Sequence, residues 1–267
     1  MTRLTTTELS VGYDKKIILN DVTIEIPDGK ITSLIGPNGS GKSTLLKAMS
    51  RILLPKKGEV LIDGKDIHQM DTKTVAQKIA SLSQTSDQIS GLSVEELVAY
   101  GRFPYQSGFS GLKKSDHQWI EWALEVTDLI NLKTRPLNTL SGGQQQRVWI
   151  AMALAQNTDI LILDEPITFL DPAHQLEILE LLQEINQKGK TILMTIHDLN
   201  HASRFSDHIL GMKAGKLIFQ GTPYQVFTTE NMAELFEIEA IFYSSVSQQK
   251  PMILSYELLK RGKTDET

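Results

Sequence analysis

A glycine-rich run at residues 36–44 has the residue types needed to hold a polyphosphate. Gly36, Gly39 and Gly41 permit backbone angles and a close approach to a ligand that side chains would prevent. The N–H groups of such a loop surround phosphate oxygens at the positive end of the helix that follows. Lys42 can reach the β- and γ-phosphates, and the Ser43 hydroxyl is a ligand for Mg²⁺.

We therefore predict an ATP-binding loop, called the phosphate loop below, made of Gly36, Pro37, Asn38, Gly39, Ser40, Gly41, Lys42, Ser43 and Thr44. The alternative is an ordinary glycine-rich turn in front of a helix. The complete eight-residue pattern, placed between an apolar strand pattern and a helical pattern, favours nucleotide binding.

Two adjacent acids end a second apolar run. Residues 160–163 are Ile-Leu-Ile-Leu, and Asp164 and Glu165 follow directly. An acid at the end of such a strand can hold Mg²⁺ near the phosphates, and its neighbour can orient or deprotonate the attacking water. A solvated turn is the alternative. The phosphate loop in the same chain favours Asp164 as a metal ligand, and Glu165 and Lys42 as catalytic residues.

The elements that must position these groups follow an α/β pattern. Residues 31–35 form a strand pattern that runs into the phosphate loop, and residues 44–52 fit a helix. Unbroken apolar runs at 160–163 and 191–195 are typical of strands buried on both faces of a parallel sheet. Short runs separated by turn residues predict an antiparallel region, at residues 4–11, 16–19, 22–26 and 58–62.

A helical insertion is predicted between the two α/β halves, at about residues 85–140. Residues 79–83 are strand-like, and helical spacing of apolar residues follows at 94–101 and 115–132. Ser115 and Asp116 are residues that cap helices well, so we expect the second helix to begin there.

Composition limits the class of protein. The chain has 267 residues, of which 40% are hydrophobic and 22% charged, as in soluble globular proteins. A net charge of −5 argues against a nucleic-acid partner, and the absence of cysteine excludes disulfides, thiolate metal sites and a cysteine nucleophile. No run approaches the ~20 apolar residues that cross a bilayer. We expect the chain in the cytoplasm. If it serves a membrane, it must dock onto another polypeptide.

Residues 140–144, Leu-Ser-Gly-Gly-Gln, resemble the signature sequence of the nucleotide-binding subunits of ABC transporters. We call this segment the signature turn; a helix is expected from Gln145 onward, and the N–H groups at its positive end suit a γ-phosphate. A simple helix cap is the alternative. The resemblance implies a P-loop NTPase of the ABC ATPase type, with a mixed sheet core, an antiparallel β region and a helical subdomain.

In that family the signature turn serves the ATP of the opposite subunit. The resemblance therefore implies a head-to-tail homodimer with two ATP molecules at the interface, each contacted by Ser141, Gly142, Gly143 and Gln144 of the other copy. The resemblance covers about residues 4–239. We therefore predict an ABC ATPase domain at residues 1–240 and an extension at residues 241–267, whose end we expect to be frayed.

Four more positions match the family in order. Tyr13 stands where an aromatic ring stacks on adenine, and Gln84 where an amide contacts Mg²⁺ or water. Asp171 stands in the loop that crosses to the partner's site, and His197 where a histidine touches the γ-phosphate. The simpler alternatives are a turn tyrosine, an unremarkable glutamine and a structural histidine.

Three segments resemble the ATPases of importers for iron–siderophore complexes, haem and vitamin B12, namely residues 101–105, 170–175 and 221–226. This implies a subunit at the cytoplasmic face of the membrane, bound to two integral membrane permease subunits and served indirectly by a substrate-binding protein. Residues 167–169 depart from that group's pattern, which we expect to affect neither acid. His174 and Gln175 could equally be a solvated helix start.

Two other classes of ABC protein stay open on the sequence. One is a soluble ATPase of the assembly-factor type, which size alone permits and which would have no membrane partner. The other is an exporter subunit, disfavoured because no membrane domain is fused in this sequence and because residues 102–105 are importer-like.

Overall fold

The computed structural model describes residues 2–83, 91–106, 111–243 and 250–259. Its strands are β1 Thr2–Tyr13, β2 Lys16–Pro27, β3 Ile31–Ile35, β4 Lys57–Ile62, β5 Lys65–Asp66, β6 Ile79–Leu82, β7 Ile160–Leu163, β8 Thr191–Thr195, β9 His208–Lys213, β10 Lys216–Gly221, β11 Ile238–Tyr243 and β12 Met252–Leu258. Its helices are α1 Lys42–Met49, α2 Thr72–Ala76, α3 Val94–Ala99, α4 Lys114–Val126, α5 Gly142–Ala155, α6 Pro172–Gln187, α7 Leu199–Phe205, α8 Pro223–Val226 and α9 Thr229–Phe236.

A six-stranded sheet in the order β10-β9-β3-β8-β7-β6 forms the centre of the molecule. Its strands are parallel except for β10, which pairs antiparallel with β9. Every residue of β3, β7 and β8 is buried, which explains the unbroken apolar sequence of β7 and the largely apolar sequence of β8. In β3, Thr32 and Ser33 are buried polar residues. Because β3 and β8 are neighbours and β7 follows, the segments after their carboxyl ends lie at one edge of the sheet.

A separate antiparallel sheet has the order β2-β1-β4-β5, which confirms the predicted β region. The two runs at 16–19 and 22–26 are not separate strands, as the sequence pattern suggested, but one strand of 12 residues. Asp21 adopts a left-handed backbone conformation, with φ 58°, where the register with β1 shifts. An irregularity of this kind absorbs two polar residues without ending the strand.

Helices α3 and α4 lie between β6 and β7, where the sequence predicts the helical insertion, and their ends differ from the predicted ones. Helix α4 begins at Lys114, and the carboxylate of Asp116 accepts the backbone N–H of Lys113 instead of capping the helix from the first position. The same carboxylate accepts Arg102 Nε at 2.9 Å, in a buried ion pair. Helix α4 ends at Val126, not at residue 132, where the Thr127 hydroxyl donates to the Ala123 carbonyl.

Helix α1 also differs from the prediction of residues 44–52. It begins two residues earlier, at Lys42, and it ends at Met49. The Ser50 hydroxyl donates to the Leu46 carbonyl at this end and replaces a further helical turn.

The last described elements, β11 and β12, form a two-stranded antiparallel hairpin. A division at residue 240 falls inside β11, and the expected frayed end, residues 261–267, lies outside the described residues. Asn200 on α7 holds this hairpin, since its side chain donates to Ile253 O at 3.1 Å and accepts Ile253 N–H at 2.8 Å. Within the described part of the chain, the helices are too short or too polar to span a membrane.

Candidate functional site

The phosphate loop lies between β3 and α1, and the surrounding backbone fixes its shape. Gly36 has φ 151°, and a Cβ there would lie 2.1 Å from the Met212 carbonyl oxygen. Gly41 has φ 103° and would place a Cβ 2.6 Å from Leu19 Cδ2. Only glycine fits both positions. The loop is also held from outside, because Gly215 N–H donates to the Ser40 carbonyl at 2.9 Å.

Lys42 is the first residue of α1, and its side chain folds back over the loop. Its ammonium donates to Gly36 O at 2.8 Å and to Pro37 O at 3.1 Å. Burial lowers the pKa of Lys42, and the negative charges of Glu165 and Asp164 oppose that effect. The lysine, the loop and the acid pair therefore form one electrostatic site.

The other residues of the phosphate loop differ in their exposure to solvent. Ser43 is half-buried and Thr44 is buried at the start of α1, while Asn38 and Gly39 are exposed. The residue before the helix is Gly41, which offers no capping side chain. The first N–H groups of α1 are thus available to an anion.

The two acids follow β7 and share one partner on β8. The Thr195 hydroxyl donates to Asp164 Oδ1 at 2.8 Å, and it accepts the Glu165 N–H at 2.7 Å. Asp164 is buried, and Glu165 has a left-handed backbone with φ 54°, which is rare for a residue with a side chain. Thr195 therefore fixes the turn on which both acids stand.

The carboxylate of Glu165 lies between two side chains. His197 Nε2 is 2.7 Å from Glu165 Oε1, and the Thr168 hydroxyl donates to Oε2 at 3.0 Å. The structure thus brings together Glu165 and His197, as predicted from residues 32 apart. The expectation that residues 167–169 affect neither acid was wrong for Thr168.

The signature turn caps helix α5. The Ser141 hydroxyl accepts Gln144 N–H at 3.3 Å, and the Gln144 side chain accepts Ser141 N–H at 3.1 Å. The helix therefore begins at Gly142, three residues before the predicted start, because this reciprocal pair satisfies the first turn. A Cβ on Gly142 would meet open space, so this face of the turn is accessible.

The signature turn and Glu165 of one chain border the same cleft, of about 160 Å³. Gly142 and Gln145 line one side, and Glu165 and Thr168 the other. The contact of the signature turn with the ATP of a second copy stays a prediction.

Asp171 precedes α6 and is bonded by His174. Its carboxylate accepts His174 N–H at 3.1 Å and lies 2.7 Å from His174 Nδ1. These two bonds, the backbone one first, lower the pKa of Asp171. The His174 ring also lies against Gly143, where a Cβ would be 2.9 Å from its Cδ2. His174 is therefore more than a solvated helix start.

The predicted contacts of two further residues are not tested by these distances. Tyr13 ends β1 beside the β1–β2 turn and is half-exposed, and its stacking on adenine stays a prediction. Gln84 lies outside the described residues, so its proposed contact with Mg²⁺ stays a prediction as well.

Sequence reasoning missed Thr195, and it did not assign a role to Thr168 or His174. A signal for Thr195 was present, since it is a polar residue that closes a wholly buried strand two positions before His197. His174 gave no such signal, because its contact with Gly143 joins residues that are 31 apart.

The chain is similar in sequence to proteins that have already been described. The sequence model of the ABC transporter family matches residues 19–168. The iron(3+)-hydroxamate import ATP-binding protein FhuC of Bacillus subtilis is 52% identical over 98% of both chains. The ferric enterobactin transport ATP-binding protein FepC of Escherichia coli is 41% identical over 94% of this chain and 92% of its own.

Solved structures agree with these sequence relatives. An inward-facing structure, described as a metal-chelate type ABC transporter, matches with a TM-score of 0.82 and 26% identity over 96% of both chains. The dimeric bacterial ABC transporter cassette MJ0796 matches with a TM-score of 0.72 and 33% identity, over 82% of this chain and 98% of the other. The fold therefore agrees with that of solved ATP-binding cassettes of ABC transporters.

Proposed function

Because the chain belongs to the ABC transporter family, as an ATP-binding subunit, we propose that it hydrolyses ATP to drive uptake of iron(III)–siderophore complexes. The observation that carries this proposal is the likeness, along nearly the whole chain, to the hydroxamate import subunit of Bacillus subtilis. Transport proteins named for achromobactin, petrobactin and ferric enterobactin are also among its relatives, at 41–45% identity. These relatives disfavour the assembly-factor and exporter alternatives.

Catalysis in this proposal is positioning and electrostatic stabilisation. The ammonium of Lys42 and the N–H groups of the phosphate loop bind the phosphates and offset the charge that develops on the transferring group. The carboxylate of Glu165 holds the attacking water and accepts its proton. His197, bonded to that carboxylate, keeps it oriented and reaches the γ-phosphate.

Mg²⁺ fits the residues present. The buried Asp164 carboxylate accepts one hydrogen bond from Thr195 on Oδ1, and the Ser43 hydroxyl stands at the start of α1. Mg²⁺ commonly takes one or two protein oxygens, with substrate phosphates and water as its other ligands. Ser43 and Asp164 would hold the ion, with Gln84 as a third candidate, and the ion would neutralise charge on the β- and γ-phosphates.

The working unit in this proposal is a head-to-tail homodimer. One chain has a single phosphate loop and a single signature turn, and the dimeric relative described above supports a pairing of cassettes. The dimer would bind two permease subunits at the cytoplasmic face of the membrane, with a substrate-binding protein delivering the iron complex to them.

The Glu165→Gln variant tests the assignment. The variant should bind ATP with near-native affinity, because the phosphate loop is unchanged, but turnover should fall by about a thousandfold or more without the base. It should accumulate as an ATP-bound dimer. In cells that lack the native gene, it should fail to restore uptake of radioactive iron(III)–hydroxamate.

Glu180→Gln is the matched control, since it makes the same chemical change at an exposed position of α6. It should retain native turnover and uptake. Undiminished hydrolysis by the Glu165 variant would refute the assigned base. Native uptake in cells without the gene would instead refute the assigned substrate class.

A further inference from the structure

We infer that His174 is a positioning residue that holds Asp171 and the signature turn at a fixed separation within one chain. Both segments are proposed to meet the ATP site of the second copy, so the inference rests on the proposed function. The two contacts of the His174 side chain join them before the second copy arrives.

The first contact is with Asp171. The His174 side chain binds the Asp171 carboxylate through Nδ1 at 2.7 Å, and its backbone N–H binds the other oxygen at 3.1 Å. The next residue adds to this hold, because Gln175 Nε2 donates to the Leu170 carbonyl at 2.9 Å. The first turn of α6 therefore fixes both the backbone and the carboxylate of the loop that precedes it.

The second contact is with the signature turn. A Cβ built on Gly143 would lie 2.9 Å from Cδ2 and 3.1 Å from Cγ of the His174 ring. The imidazole thus occupies the space that a side chain at position 143 would need. This packing gives Gly143 a reason to be glycine that is separate from any contact with a phosphate.

A second pair of residues continues the same helix contact. Arg147 Nη2 and Glu177 Oε2 are 2.6 Å apart. These residues lie about one helical turn beyond Gly143 on α5 and His174 on α6. The starts of α5 and α6 are therefore joined at two successive levels, with the His174 ring at the level nearest the site.

This arrangement has a consequence for dimer formation. A surface whose parts are already fixed loses less conformational freedom on binding than one whose parts move independently. If the ring is removed, Asp171 and Ser141 no longer keep a common separation. The second copy must then order both segments as it binds.

Dimer formation by the full chain tests the inference, in the Glu165→Gln background with ATP. His174→Ala should raise the protein concentration needed for half-maximal dimer formation by about tenfold, since preorganisation is lost. His174→Asn should recover most of that loss, because its amide nitrogen can take the place of Nδ1 toward Asp171. The affinity of a single copy for ATP should stay unchanged in both variants. General damage to the fold would lower that affinity.

His117→Ala is the control, since His117 is an exposed histidine on α4. It should form the dimer at the native concentration. Native dimer formation by His174→Ala would overturn the inference, and so would equal losses in the Ala and Asn variants.

A double-mutant cycle tests the packing without any dimer. Gly143→Ala should lower the Tm of the native chain, because the new methyl group displaces the ring from Asp171. The same change should cost less in the His174→Ala chain, so the two effects should not add. Additive shifts in Tm would overturn the contact. If Glu165→Gln forms no ATP-dependent dimer at all, the proposed homodimer is refuted, while this cycle still tests the His174 contact.

Discussion

Thr195 shows how much of this site depends on a single hydroxyl group. That oxygen donates to the Asp164 carboxylate and accepts the Glu165 N–H, at the end of a buried strand. It thereby links the proposed metal ligand to the proposed base. A hydrogen bond to a buried charged group contributes about 1.5–3 kcal/mol.

Thr195→Val should therefore lower kcat by about tenfold to a hundredfold, because both acids lose a shared partner while the side-chain volume stays similar. The affinity for ATP should change little, since the phosphate loop keeps its own contacts. Steady-state ATPase kinetics and nucleotide titration measure the two effects.

Thr195→Ser is the matched comparison, because it restores the hydroxyl and removes only a methyl group. It should recover most of the lost turnover. A native kcat in Thr195→Val would show that the hydroxyl has no part in positioning the acids.

The sequence allowed prediction of those site residues that belong to a contiguous pattern. The phosphate loop, Asp164 and Glu165 are local, and each of them has a chemical reason to be where it is. Thr195, Thr168 and His174 act through partners that only the folded chain brings near. Their types alone do not tell which side chain they will meet.

Ion pairs between charged side chains join the antiparallel sheet to the parallel sheet. Arg3 on β1 binds Asp63, which follows β4, at 2.7 Å, and Asp159, which precedes β7, at 2.9 Å. Lys78, just before β6, also binds Asp63, at 2.6 Å. These contacts connect the antiparallel sheet to the parallel one.

Lowering the pH should weaken these ion pairs as the Asp63 carboxylate becomes protonated. The Arg3 hydrogen bond, ahead of that from Lys78, lowers the pKa of Asp63 from 3.8 to about 2. A lowered carboxyl pKa contributes stability that is present above pH 3.8 and is lost as the pH falls toward about 2. Asp63→Asn should remove about 1 kcal/mol of that dependence, since the group is over a third exposed and partly screened.

Urea unfolding at a series of pH values measures this effect. Arg3→Gln should flatten the same window, because Arg3 is the largest cause of the shift, and the double variant should add little to either change. Equal slopes for Asp63→Asn and the native chain between pH 4 and pH 2 would contradict the assignment.

Element types were more predictable than element ends. The apolar runs of β7 and β8 match their burial, since a strand covered on both faces is mostly apolar. Helix α4 began and ended elsewhere because Asp116 was committed to Arg102 and Thr127 to a helical carbonyl. The ion pair of Asp116 is a contact between different elements, which local propensity does not include, whereas the Thr127 bond is local to the helix end.

The whole molecule, in the proposed function, is half of a working unit. Its phosphate loop serves one ATP and its signature turn serves another. Fold class followed from the motifs, but the pairing of two copies came only from a family resemblance. The hairpin of β11 and β12 was not predicted, because residues 241–254 contain no Gly, Asn or Asp to mark a hairpin turn.

Turnover per chain should consequently rise with protein concentration and then level off, as copies associate. ATP binding to a single chain should be independent of concentration over the same range. Coupled ATPase assays across a dilution series, together with analytical ultracentrifugation, test both statements.

Ser141→Arg should abolish the rise while retaining ATP binding, because it obstructs the signature turn and leaves the phosphate loop intact. Constant turnover per chain at all dilutions of the native protein would argue that one chain forms a complete site.

At Glu165, the proposed catalytic role conflicts with the stability of the fold. A left-handed conformation costs a residue with a Cβ roughly 1–2 kcal/mol, and glycine or asparagine would relieve much of it. Laboratory evolution toward heat resistance alone would therefore favour replacing the residue that we propose as the catalytic base. In the proposed function, glutamate at position 165 is therefore retained for turnover at a cost in the stability of the fold.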